Sequence, residues 1–140
     1  GQGYNGEEGN VFVSIRLRIN PGNGQLEAVA GVWRSDDAEG INGQSLLWEV
    51  FPTTINYNTE YTLSIEFTGA KLIFRCNDSA PISYTVQTPT YDPPEVWIGL
   101  RSRVYADPGQ CGYVKATFDD VYIFAPGAGP SVNFLLLGNP

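Results

Sequence analysis

Large apolar residues recur at every second position through most of this chain, a period that suits strands and not helices. Val11, Val13, Ile15, Leu17 and Ile19 alternate with Phe12, Ser14, Arg16 and Arg18, so residues 11–19 are expected to form a strand. Asn20-Pro21-Gly22-Asn23-Gly24 reads as a hairpin turn. A return strand is expected over 26–34, with Ala28, Ala30 and Val32 on one face and Val29, Gly31 and Trp33 on the other. Further strands are expected over 46–51, 60–68, 71–76 and 82–87, from Val96 onward, and over 112–124. Polar loops separate them at 35–44 and 105–110. The tract 88–94 cannot continue a ladder, because its three prolines remove donors and fix φ. About eight strands at 8–12-residue spacing imply an all-β, two-sheet antiparallel sandwich. Tyr61, Leu63, Ile65, Phe67, Val96, Ile98, Leu100, Val13, Ile15 and Leu17 are expected to line its inter-sheet core.

Composition narrows the function classes. With 42% apolar residues in 140, the chain holds enough for one real core. Its net charge of −7 argues against a phosphate-backbone partner, so no nucleic acid is expected. The absence of His excludes Ser-His-Asp and Cys-His catalysis and His-ligated zinc. No apolar run is long enough to span a membrane. The chain contains no Met, so a processed or excised product is expected. A low charged fraction of 16% and abundant Asn, Thr, Ser, Tyr and Gly point with this to a secreted or cell-surface protein. In that setting Cys76 and Cys111, each near a strand end, are expected to pair.

The last residues differ from the rest. Residues 1–124 read as the sandwich, and 125–130 have the Gly/Pro composition of a linker. Residues 131–140 form an apolar tail in which Val132, Phe134 and Leu136 share one face, and Leu135 and Leu137 the other. Burying Phe134 and three Leu is worth roughly 6 kcal/mol, so the tail calls for a cover. It is a docked strand, in its own sandwich or a neighbour's, or the remnant of a linker to another domain.

Four tracts together resemble a concanavalin A-like, laminin-G-type jelly roll. They are Gly31-Val32-Trp33-Arg34-Ser35-Asp36-Asp37, the strand from Tyr61 to Glu66, Ile98-Gly99-Leu100, and Phe118-Asp119-Asp120-Val121. Their order and spacing cover most of residues 11–124. The middle hairpin is shorter than in that family and little chain precedes Val11, so the leading strand is missing or supplied by another segment. The resemblance implies a jelly-roll sandwich and a carbohydrate-binding or adhesion role. Catalytic branches of the family carry a Glu-x-Asp-x-x-Glu strand, which this chain lacks. Glu60 and Glu66 lie about 20 Å apart along a strand, too far for a glycosidase pair.

Two site chemistries follow. Asp119 and Asp120, joined by Glu7 and Glu8 if the termini meet, offer hard oxygen ligands for Ca²⁺. The plainer reading is a strand end whose carboxylates bind loop amides, since the usual site needs six to eight oxygens. Trp33, Trp97, Tyr91 and Tyr105 are candidates for sugar stacking, and core packing accounts for them as well. Arg16, Arg18, Arg101 and Arg103 read as a solvated cross-strand ladder. The expected function is therefore a non-catalytic extracellular module that binds a glycan or an extracellular surface. The alternative is a structural subunit of an extracellular filament, joined to other copies of itself through the tail.

Overall fold

The alternating tracts fold as strands joined by tight turns, with no helix among the described residues. The computed structural model describes residues 11–37, 41–68, 70–86, 98–100, 115–117 and 134–136. The chain divides into two units, Gly1–Pro89 and Thr90–Pro140, the boundary falling within the proline-bearing tract 88–94.

In the first unit, β1 (Val11–Ile19), β2 (Leu26–Ser35) and β3 (Gly43–Val50) form an antiparallel sheet in the order β1-β2-β3. A second antiparallel sheet has β4 (Leu63–Phe67), β5 (Lys71–Cys76) and β6 (Ile82–Thr85), in the order β4-β5-β6. The β1–β2 turn is held by Asn20, whose Oδ1 accepts the Gly22 N–H at 2.8 Å and whose carbonyl accepts the Gly24 N–H at 2.8 Å. Gly24 has φ 72°, a left-handed conformation that costs a glycine nothing.

The two sheets enclose one core. Ala28, Ala30 and Val32 of β2 meet Leu72, Phe74 and Cys76 of β5, Ile82 of β6, and Phe51 and Ile55 from the connection between sheets. Both central strands, β2 and β5, are flanked on each side, and the fully buried side chains concentrate on them. Val13, Ile15, Tyr61 and Leu63 pack against this core from the edge strands and their approaches. Leu17, Ile65 and Phe67 do not: they are 42%, 41% and 60% exposed, which corrects their expected place in the core. The reason is position. They belong to β1 and β4, which among the described residues are edge strands with a partner on one side only.

Strand limits shift for local reasons. β4 begins at Leu63 and not at 60, because Thr62 is held by a turn outside the ladder. Its N–H donates to the Asn77 Oδ1 at 2.7 Å, and its carbonyl accepts the Asn77 N–H at 2.9 Å. Asn77 has φ 46°, which an Asn tolerates in a tight hairpin. β3 begins at Gly43 and not at 46. Asp37 closes the preceding loop, its carboxylate accepting the N–H groups of Ile41 and Asn42 at 2.9 Å each and the Asn42 amide at 2.7 Å.

Cys76 is a free thiol within the core, where it serves as a small apolar side chain, and burial pushes its pKa up. Cys111, its expected disulfide partner, lies outside the described residues.

In the second unit, β7 (Ile98–Leu100) pairs in parallel with β8 (Phe134–Leu136), with Gly99 opposite Leu135. The middle of the apolar tail is therefore a strand paired within its own chain. Parallel pairing departs from the purely antiparallel expectation. Of the strand expected over 112–124, residues 115–117 are described, and they are exposed and not in a strand.

Candidate functional site

The outer face of the first sheet carries the most chemistry per unit area among the described residues. Alternation puts Phe12, Ser14, Arg16 and Arg18 of β1 on this face, opposite Trp33, Gly31, Val29 and Glu27 of β2. From β3, Trp48 lies opposite Gly31 and Val50 opposite Val29. A β-bulge falls between Val32 and Trp33, whose partners jump from Leu47 to Ser45. The extra residue, Leu46, lets Ser45 and Trp48 serve the same side of the sheet.

These side chains wall a half-open groove of about 340 Å³, within the size range of small-ligand sites. Phe12 and Trp33 form one wall, their ring centroids 5.5 Å apart at 47°. Trp48, 47% exposed, forms the other. The Arg16 guanidinium carbon lies 5.0 Å from the Trp48 ring centroid and that of Arg18 lies 4.8 Å from it, both within cation–π range. Gly31 is the floor. A Cβ there would stand 3.1 Å from the Ser14 Oγ and 3.6 Å from Trp48, so any larger residue would fill the groove from below. Gly43 has a related role: a Cβ there would collide with the Trp33 indole and the Arg34 carbonyl, so only glycine lets that indole lie across β3.

Polar groups line the groove as well. Arg16 Nη2 donates to Ser14 Oγ at 2.7 Å, which orients both side chains. Arg18 is held differently, its Nε donating to Glu27 Oε1 at 2.7 Å, while the Asn20 amide donates to Glu27 Oε2 at 3.0 Å. The outer face of the second sheet offers a shallower, polar hollow at Thr62, Ser64, Arg75, Asn77 and Asp78. It has no aromatic wall, and Arg75 there is paired with Glu66 at 2.8 Å.

Of the aromatic candidates, Trp33 is in this groove, and Trp97, Tyr91 and Tyr105 lie outside the described residues. Asp119, Asp120, Glu7 and Glu8 also lie outside them, and so do Val132 and Leu137 of the tail. Among the described residues no cluster of three or more His, Cys, Asp or Glu is placed to hold a metal ion. Asp36, just after β2, pairs with Arg34 at 3.2 Å.

Strand phase does not single out Trp48, which reaches this face through its register opposite Gly31. Gly31 and Ser14 are groove residues by virtue of register alone, and hydropathy carries no signal for either. Comparison of the chain with protein-family models, curated proteins and solved structures finds no match.

Proposed function

We propose that this chain is a non-catalytic saccharide-binding module of an extracellular protein, and that the ligand lies in the groove between Trp33 and Trp48. One observation carries the reading. Two indoles from different strands wall an open groove whose floor is a glycine, with Ser14, Arg16 and Ser45 alongside. Sugar rings present an apolar C–H face and a polar rim, so they suit aromatic walls combined with hydroxyl and guanidinium donors. The resemblance of residues 11–124 to concanavalin A-like jelly rolls supports the same reading, and we extend it to the topology of the whole sandwich. A glycan array probed with the full chain tests the proposal. Binding to a defined set of glycans is expected, weakened about tenfold or more by Trp48→Ala or Trp33→Ala. Retention of full affinity in both variants would place the ligand elsewhere.

A second reading, a subunit of an extracellular assembly, is favoured by a different observation. Ile19 is 56% exposed, and it joins Leu17, Ile65 and Phe67 as uncovered apolar residues on neighbouring edge strands β1 and β4. Such edges invite pairing with another copy. Sedimentation of the purified chain would then show concentration-dependent association that Phe67→Lys abolishes.

A further inference from the structure

We infer that the ligand of the groove is an acidic saccharide, and that Arg16 receives its carboxylate or sulfate group. The inference rests on the saccharide-binding reading above and narrows it. It starts from how the arginines of this face are committed. Arg18 is neutralised by Glu27 at 2.7 Å, and Arg34, at the end of the same strand as Trp33, is paired with Asp36 at 3.2 Å. Arg16 makes no ion pair with any described residue, and it is the one arginine among the groove-lining side chains.

The surroundings of Arg16 hold it ready for an anion. Its Nη2 donates to Ser14 Oγ and its guanidinium lies over Trp48, so the side chain is positioned without an ion pair to any described residue. A guanidinium has five N–H donors, and one bond to Ser14 leaves most of them for a ligand. The planar fork of Arg matches carboxylate and sulfate oxygens, and charge-assisted bonds of this kind are about twice as strong as neutral ones. Glu27, the carboxylate nearest along the face, has both oxygens engaged, one by Arg18 and one by Asn20. The chain's net charge of −7 works against anions in general, so the selection is local: an aromatic groove whose cation pairs with no described carboxylate favours an anion on the sugar.

A paired array tests this. Uronic-acid-terminated, sialylated and sulfated glycans are each printed beside the carboxyl-reduced or desulfated counterpart, and probed with the full chain, Arg16→Gln, Arg16→Lys and Trp48→Ala. The acidic member should bind at least about tenfold more tightly than its neutral twin, with the advantage shrinking as salt is raised. Arg16→Gln should erase that gap, bringing acidic and neutral twins to equal affinity whatever the level of neutral binding, and Arg16→Lys should retain part of it. Trp48→Ala should weaken both members. The carboxylate and sulfate arms identify which anion is read. Equal binding of acidic and neutral twins, or a gap that survives Arg16→Gln, overturns the inference and leaves the saccharide reading standing. Binding to no glycan of either kind overturns both.

Discussion

Gly43 and Cys76 show how single positions are constrained by what lies against them. At Gly43, the constraint is the Trp33 indole and the Arg34 carbonyl, both closer than a methyl group tolerates. Gly43→Ala should therefore destabilise the first sheet by about 1–3 kcal/mol and shift the Trp33 environment, read by urea unfolding and indole fluorescence. At Cys76, the constraint is burial. The thiol sits in the core with its pKa raised above the ordinary 9.0, so the folded state favours the protonated form. A raised folded value adds stability that is complete below pH 9 and is lost as pH climbs through the folded pKa. Unfolding free energy measured from pH 8 to 11 should fall more steeply for the parent chain than for Cys76→Ala. Parallel curves would show that the thiol does not contribute. Neither role was readable from residue type, since glycine and cysteine carry no periodic signal, and both depend on which neighbour the register brings.

Among the elements, the strands divide by whether they have one neighbour or two. β2 and β5 are central and carry the buried residues, Val29 and Gly31 on the outer face of β2 included, while the inward rows of β1 and β4 run from half-buried to exposed. Phe74→Ala, on β5, should cost about 3–5 kcal/mol, and Ile65→Ala, its lateral neighbour on β4, under about 2 kcal/mol. Equal costs in chemical denaturation would mean that β4 is covered in solution. Alternation alone identifies β1 and β5 to the residue, because a strand with one wetter face displays its period directly, and β2 to within one residue although both of its faces are covered. It did not separate Leu63 from Ile65, since hydropathy records which face a residue is on and not whether anything lies opposite. The start of β3 escaped for a related reason. Gly43, Gln44 and Ser45 look like loop, and they pair with β2 because Asp37 ties down the turn and Gly43 accepts the indole above it.

At the scale of the whole molecule, the first unit has a dry side between its sheets and a worked outer face on the first of them. The buried core is Ala28, Ala30, Val32, Phe51, Ile55, Leu72, Phe74, Cys76 and Ile82, none of them among the ten residues expected to line it, because alternation marks a face and not how deeply that face is covered. The groove needs more than alternation: Trp33 is visible as an aromatic out of phase with its aliphatic neighbours, whereas Trp48 joins it through its register opposite Gly31, and Ser45 through the bulge at Leu46. Arg16 and Arg18 read alike in sequence, as a solvated ladder, and differ in the fold because one has Glu27 as its partner and the other Ser14. On the proposed function, this outer face is where the protein meets a saccharide. Amide and indole chemical shifts, followed by NMR while the glycan selected on the array is titrated into the full chain, test it most directly. The account predicts shifts at the Trp33 and Trp48 indoles and at the Ser14, Arg16 and Gly31 amides, with Phe74 and Cys76 unmoved. Shifts confined to β4–β6 or to residues 90–140, with both indoles unmoved, would contradict it.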